Sequence, residues 1–136
     1  MSNNLDFVAK LRNSGLRPTK QRIKICEILF GGKDTFHFSI NELSKMISKK
    51  TNEKISLATI YNTVEAFTNA GYLKEILTSK NKSYYDTNIK SHHHFYDEEN
   101  KELTDIHYSQ IKLSKVPIPP KGKKIKNLEV VIRIQK

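Results

Sequence analysis

Apolar residues in the first half of the chain recur every three or four positions, which predicts four helices. In order, the positions that define them are Leu5, Val8 and Leu11; Ile25, Ile28 and Leu29; Ile40, Leu43, Met46 and Ile47; and Leu57, Ile60, Val64 and Phe67. Pro18 falls at the expected first turn of the second helix, and Gly31-Gly32 would end that helix. Ser56 is the predicted N-cap of the fourth helix, which would end at Gly71.

Beyond Gly71 the apolar period changes from that of a helix to that of a strand. Residues 72–78 and 83–87 flank a polar turn at 79–82, and together they predict a hairpin. The pattern then predicts, in order, strands over 92–97 and 102–106, a short helix near 108–115, a connection stiffened by prolines, and a last strand from Leu128 to Ile134.

Helices followed by a two-stranded hairpin are typical of a winged helix-turn-helix, in which the fourth helix would enter the major groove of DNA. At about 100° per residue, the positions opposite its buried stripe are Ala58, Asn62, Glu65 and Asn69, with Thr59 and Tyr61 on its flanks. An ordinary solvated helix would show a similar polar face. The hairpin that follows the helix favours the DNA-binding interpretation.

The charge of the chain points to the same class of partner. Lysine and arginine number 24 against 14 acidic residues, the formal net charge is +10, and 15 of the basic residues lie within the first 90 positions. A polyanion such as nucleic acid is the expected partner, and Arg17, Lys80 and Lys82 fit contacts to the backbone or minor groove. No apolar run approaches the roughly 20 residues of a membrane span. We therefore expect a cytoplasmic protein.

Three of the five histidines are consecutive in a predicted strand. Side chains alternate between the two faces of a strand, so His92 and His94 would project together and His93 the other way. Asp86 ends the predicted hairpin and Asp105 lies on the predicted strand after the histidines, and neighbouring strands would bring such groups to one site. Imidazole and carboxylate donors suit Fe(II), Mn(II) or Zn(II), whereas copper(I) and iron–sulfur clusters prefer thiolates. Axial ligation of haem, or a merely polar surface run, remains an alternative.

Three strings in the chain resemble the ferric uptake regulator family: GLRPTKQR (15–22), ISLATIYNTVEAFTNAGYL (55–73) and YYDTNIKSHHHFY (84–96). HHHFY and the ending near VVIRIQK are similar, more narrowly, to its iron response regulator branch. The resemblance implies a homodimeric winged-helix repressor or activator of iron-metabolism genes. The affinity of such a regulator for DNA would depend on metal or haem. The implied fold class is α+β, with a winged-helix domain over 1–88 and a small α/β dimerisation and sensing domain over 89–136.

The resemblance also assigns site residues by position. The implied metal ligands are His37, Asp86, His92, His94 and Asp105; the implied haem-associated residues are His92, His93 and His94; and the candidate DNA contacts are Arg17, Thr19, Ala58, Thr59, Tyr61, Asn62, Lys80 and Lys82. His37 would come from the segment between the second and third helices, so the implied metal site would join both domains. Tyr61 matches a recognition-helix tyrosine that packs against thymine.

Two departures from the family pattern change the expected chemistry. Cys26 is the one cysteine and position 96 is Tyr, so the structural zinc that four cysteines hold in many members is absent. Asn62 stands where many members have arginine, so we expect a different operator.

We expect a sequence-specific regulator of iron or haem metabolism genes that binds an AT-rich operator duplex and is not an enzyme. The alternatives are a winged-helix regulator without metal sensing, a haem- or metal-carrying protein with an incidental basic surface, and a metal-dependent hydrolase.

Overall fold

The computed structural model describes residues 4–78 and 82–136. The chain divides into two units, Met1–Ile89 and Lys90–Lys136, so the division falls one residue after the boundary that the sequence predicts. Among the described residues, no helix combines the length and the apolar character that crossing a membrane requires.

Four α-helices form most of the first unit. They are α1 (Asn4–Asn13), α2 (Lys20–Phe30), α3 (Ile40–Thr51) and α4 (Leu57–Ala70). Ser39 begins α3 with a reciprocal capping box, in which its hydroxyl accepts from the Glu42 N–H while the Glu42 carboxylate accepts from the Ser39 N–H. Ser56 caps α4 as predicted, and Gly71 ends that helix at φ 89°.

Three predictions near helix starts need correction. Pro18 precedes the N-cap of α2, which is Thr19, instead of lying in the first helical turn. Leu5 is 78% exposed and Phe7 takes the buried position in α1, while Leu57 is 51% exposed in the first turn of α4. A first turn lies at the edge of the packed layer, so an apolar residue there fits the helical period without reaching the core.

Side chains from all four helices form one core in the first unit. Its largest fully buried members include Leu11, Ile25, Leu43, Ile60 and Phe67. Burial of such side chains contributes about 1.5–3 kcal/mol each, so apolar packing holds α4 against the other helices.

A three-stranded antiparallel sheet follows α4 and completes the winged helix. Its strands are β1 (His37–Phe38), β2 (Lys74–Leu77) and β3 (Ser83–Asp86), in the order β1-β3-β2. The predicted hairpin corresponds to β2 and β3; part of its predicted turn, residues 79–81 with Lys80, lies outside the described residues. The sequence did not predict β1, which pairs His37 with Asp86 and Phe38 with Tyr85.

The second unit is built on another three-stranded sheet. It contains β4 (His92–Asp97), β5 (Glu102–His107) and β6 (Val131–Ile134) in the order β5-β4-β6, with β5 antiparallel and β6 parallel to β4. Where a helix over 108–115 was predicted, the structure has one 3₁₀ turn, Tyr108–Gln110. The last strand begins at Val131 instead of Leu128.

A parallel neighbour needs a long crossover, and residues 108–130 provide it in the second unit. Six lysines lie on this connection, all exposed, and no acidic residue occurs between Asp105 and Glu129. Together the two units give an α+β fold in which a winged helix precedes a smaller, mainly β unit.

Candidate metal centre and nucleic-acid interface

Two histidines and one aspartate converge in the second unit. The β4–β5 register places His94 opposite Asp105 and His92 opposite His107. The Nε2 atoms of His92 and His94 lie 3.5 and 3.3 Å from the same carboxylate oxygen, Asp105 Oδ1. Both imidazoles are buried, and their ring centroids are 4.5 Å apart. The alternation predicted for the histidine triplet therefore brings His92 and His94 to one point.

The other nitrogen of each ring is already held by an acceptor. His92 Nδ1 lies 2.6 Å from the Lys90 carbonyl oxygen, and His94 Nδ1 lies 3.1 Å from Glu129 Oε1. A carbonyl or carboxylate oxygen accepts, so each Nδ1 carries the proton in the neutral ring. Each Nε2 then presents its lone pair towards Asp105. Histidine ligands of metal ions show this arrangement, in which the second nitrogen donates to a fixed oxygen.

The spacing of these atoms fits donors around a common ion. Two ligand atoms that each lie about 2.1 Å from a metal are about 3.0 Å apart along an octahedral edge and about 3.4 Å apart along a tetrahedral edge. The distances of 3.3 and 3.5 Å are near these values. Nitrogen and oxygen donors without thiolate suit Fe(II), Mn(II) or Zn(II). The residues present therefore fit a divalent transition-metal ion.

A second pair of donors lies within the first unit. His37 and Asp86 face each other across the β1–β3 ladder, with Nε2 3.9 Å from Oδ2. The Asn88 N–H donates to the other oxygen, Oδ1, at 2.8 Å, which fixes the orientation of the buried carboxylate. The Phe36 N–H donates to the Thr87 hydroxyl at 2.9 Å and holds the start of β1 against the end of β3.

The remaining histidines are held elsewhere. His93 lies on the opposite face of β4, where its Nδ1 accepts the Val130 N–H at 3.0 Å. His107 is exposed at the end of β5, and its Nδ1 lies 2.6 Å from the Ser109 hydroxyl. The haem set predicted from the triplet is therefore divided between two faces of one strand.

Sequence reasoning missed one residue of this centre, Glu129. It contacts His94 across 35 positions of sequence, just before β6. An acidic residue at the end of a lysine-rich connection carries no signal that assigns it to a histidine on another strand.

The candidate DNA-contacting residues lie mostly at the surface of the first unit. On α4, Ala58, Tyr61 and Asn62 are exposed and Thr59 is half-buried; Arg17, Thr19 and Lys82 are also exposed, and Lys80 lies outside the described part of the chain. Thr19 has a structural task as well, because its hydroxyl accepts the Arg22 N–H at the start of α2. An open cavity of about 380 Å³ lies between Tyr61, Glu75 and Tyr85.

Glu65 does not lie on the solvated face where the helical period predicted it. It is half-buried, and its Oε1 accepts the Tyr85 hydroxyl at 2.8 Å. Burial raises the pKa of Tyr85, and the hydrogen bond to Glu65 raises it further. The phenol therefore stays protonated and remains a donor.

Cys26 is a core residue and not a ligand. It is fully buried on α2, and burial raises the pKa of its thiol to about 12. A thiol that is both buried and protonated is a poor metal ligand and a poor nucleophile.

A winged helix followed by a unit with imidazole and carboxylate donors defines a metal-binding transcriptional regulator. The chain belongs to the Ferric uptake regulator family, whose family model matches residues 13–133. Proteins of this family are transcription regulators and not enzymes, and the chain is accordingly a metal-responsive regulator.

Individual relatives place the chain within this family. The peroxide-responsive repressor PerR of Staphylococcus epidermidis is 34% identical over 106 residues, which cover 78% of this chain and 69% of that protein. The corresponding repressor of Staphylococcus saprophyticus is 32% identical and is covered to 70%.

Solved structures agree on the fold. The ferric uptake regulator of Pseudomonas aeruginosa with manganese superposes with a TM-score of 0.70 at 22% identity, covering 96% of this chain and 97% of that one. A zinc-bound manganese uptake regulator gives 0.63 at 21% identity, covering 96% and 98%.

Proposed function

We propose that this chain is a cytoplasmic, homodimeric regulator that binds an AT-rich, roughly palindromic operator in response to Fe(II) or Mn(II), and that it controls iron or haem metabolism genes. The observation that carries the proposal is the convergence of the His92 and His94 Nε2 atoms on one oxygen of Asp105, while each Nδ1 lies against an oxygen acceptor.

The proposed ligand set is His37, Asp86, His92, His94 and Asp105. Two of these residues belong to the first unit and three to the second. A bound divalent ion supplies positive charge that both carboxylates can share. An ion that takes ligands from both sets would restrict the units to arrangements compatible with two half-sites, and it would thereby change DNA affinity.

The placement of the histidines supports a metal ion over haem. His92 and His94 share one face and one carboxylate, whereas His93 is held on the other face by the Val130 N–H. One haem iron cannot take all three as ligands from such a strand. His93→Ala tests haem as an effector, because His93 belongs to the predicted haem set but not to the predicted metal set. The variant should keep the response to metal.

A face of the second sheet supports the homodimer. The β4–β6 register aligns Phe95 with Ile132, and alternation places Ile134 on the same face. All three are exposed apolar side chains. A second copy of the chain would cover this face.

The test is a titration of duplex binding with Mn(II), which resists oxidation during the measurement. The operator is first selected from random duplexes. The ratio of the affinity for this operator to the affinity for random duplex should differ between the metal-free and the Mn(II)-loaded protein. His94→Ala should lose this dependence on Mn(II), and His93→Ala should keep it. A parent protein that binds no duplex selectively, with or without Mn(II), would favour a metal carrier instead.

A second candidate is a regulator that responds to peroxide, and it is favoured by the curated relatives named as peroxide-responsive repressors. Cys26 is buried and protonated, so a peroxide response would have to pass through the metal centre. Hydrogen peroxide should then alter operator binding by the Fe(II)-loaded protein and leave the Mn(II)-loaded protein unchanged. Equal behaviour of the two forms would reject this candidate.

A further inference from the structure

Strand β3 carries one member of the metal-binding pair and, next to it, an aromatic residue on the opposite face. Asp86 is paired with His37, and the preceding residue, Tyr85, is paired with Phe38. The rings of Tyr85 and Phe38 stack with centroids 5.6 Å apart, and both are buried. A planar peptide bond joins the two residues, so a displacement of the Asp86 backbone is passed directly to Tyr85.

Tyr85 connects this ladder directly to α4. Its hydroxyl donates to Glu65 Oε1 at 2.8 Å. Glu65 lies four residues after Tyr61, which makes the two neighbours on one face of the helix. The hydrogen bond therefore lies one helical turn after Tyr61, the largest exposed side chain near the start of α4.

The hydrogen bond holds a side of α4 that does not face the helical core. The buried face of α4, with Ile60, Val64 and Phe67, packs against the helical core. Glu65 projects from another side of the helix, where Tyr61 and Tyr85 border the cavity of about 380 Å³. Apolar packing holds the buried face of the helix, and the directional hydrogen bond on its flank adds a second constraint on its rotation about its own axis.

We propose that Tyr85 and Glu65 are positioning residues that transmit occupancy of the His37–Asp86 pair to the reading face of α4. This inference rests on the proposed function, because it supposes that a metal at Asp86 alters operator binding. A metal ion at Asp86 would change the position of Tyr85. The hydrogen bond to Glu65 would pass this change to α4 and alter the orientation of Tyr61.

The test compares Tyr85→Phe with the parent protein in operator binding with and without Mn(II). The substitution keeps the stacked ring and removes the hydroxyl. A hydrogen bond to a charged acceptor is strong enough for its loss to reduce the Mn(II)-dependent change in operator affinity by about tenfold. Mn(II) affinity in the absence of DNA should stay as in the parent. By reciprocity, the effect of operator on Mn(II) affinity should fall by the same factor.

Tyr72→Phe is the matched control. It also removes a tyrosine hydroxyl from the first unit, but that hydroxyl accepts from the Asn13 side chain at the end of α1. The control should keep the full Mn(II) response. Glu65→Gln should also retain most of the response because its side-chain carbonyl still accepts the bond, whereas Glu65→Ala should behave like Tyr85→Phe.

Hydrogen exchange of the α4 amides gives a readout that needs no metal. Tyr85→Phe should raise exchange near Tyr61 in the metal-free protein, and Tyr72→Phe should not. If the parent shows no Mn(II) response, the proposed function fails. If the parent responds and Tyr85→Phe responds equally, only the positioning role fails. An equal loss of operator affinity with and without Mn(II) would also overturn the role, since it would indicate a structural effect alone.

Discussion

Tyr61 is half exposed on α4 beside the exposed Ala58 and Asn62. Contacts with base edges discriminate between sequences, whereas contacts with phosphates position the protein. We expect Tyr61→Ala to reduce the preference for operator over random duplex by about tenfold, within the 1–3 kcal/mol of a base contact. Fluorescence anisotropy with both duplexes measures this ratio.

Lys82→Gln is the comparison for Tyr61→Ala. Lys82 is exposed immediately before β3. Its replacement should weaken binding to both duplexes by the same factor and lower the slope of log affinity against log salt by about 1. A specificity ratio that Tyr61→Ala leaves intact would mean that another element reads the bases.

The thiol of Cys26 predicts a loss of stability at high pH. Its pKa is raised from 9.0 to about 12 by burial, so below pH 9 the thiol is protonated in both folded and unfolded chains. Between pH 9 and 12 the unfolded chain releases the proton and the folded chain keeps it, which favours unfolding by about 1.4 kcal/mol per pH unit. Urea unfolding of the parent and of Cys26→Ala across this range should show a smaller decline in the variant. Parallel declines would contradict the buried thiol.

The direction of a side chain was predictable from the sequence where it depends only on the period of a single helix or strand. Alternation along a strand was enough to bring His92 and His94 together and to separate His93. The helical period predicted that Glu65 is exposed to solvent. This prediction was wrong because the period considers the helix alone and does not include strand β3, which packs on its flank. The contact between His94 and Glu129 depends on how β6 pairs, which no local pattern of residues specifies.

At the scale of elements, the capping box of α3 gives a direct measure of a helix start. Ser39→Ala removes the acceptor for the Glu42 N–H, and the free energy of unfolding should fall by about 1 kcal/mol. Ser48→Ala is the control, because Ser48 is exposed within the same helix and alanine is the better helix former. Urea denaturation followed by circular dichroism distinguishes them. Equal effects of the two substitutions would show that the Ser39 cap does not stabilise the protein.

Elements were predictable where they are long and well bounded. The start of α4 follows from its predicted cap, and the bounds of β4 follow from alternation. Strand β1 has two residues, too few to show a period, and it exists because β3 offers an edge to pair with. The helix expected over 108–115 shortens to one turn, because residues 112–115 are exposed and a short helix that is not packed against a core is marginally stable in water.

For the whole molecule, we expect chelation to change ligand response without unfolding the chain. The core of the first unit is apolar, and one cysteine per chain provides no tetrathiolate zinc. EDTA should leave the far-ultraviolet circular dichroism of the purified protein unchanged, while added Mn(II) should raise its melting temperature, because a ligand of the folded state stabilises it. Loss of helical signal in EDTA would reveal a structural metal.

The exposed connection between β5 and β6 has a consequence for the lifetime of the protein. Lys112, Lys115, Lys121, Lys123, Lys124 and Lys126 are all accessible there, and exposed irregular segments are where proteases cut first. A trypsin-like cut after Lys126 would separate the peptide that includes residues 127–136. That peptide contains Glu129 and Val130, the partners of His94 and His93. A single cleavage would therefore leave the winged helix intact but deprive the histidine strand of its supports, so that a metal-responsive regulator becomes an unresponsive DNA-binding fragment.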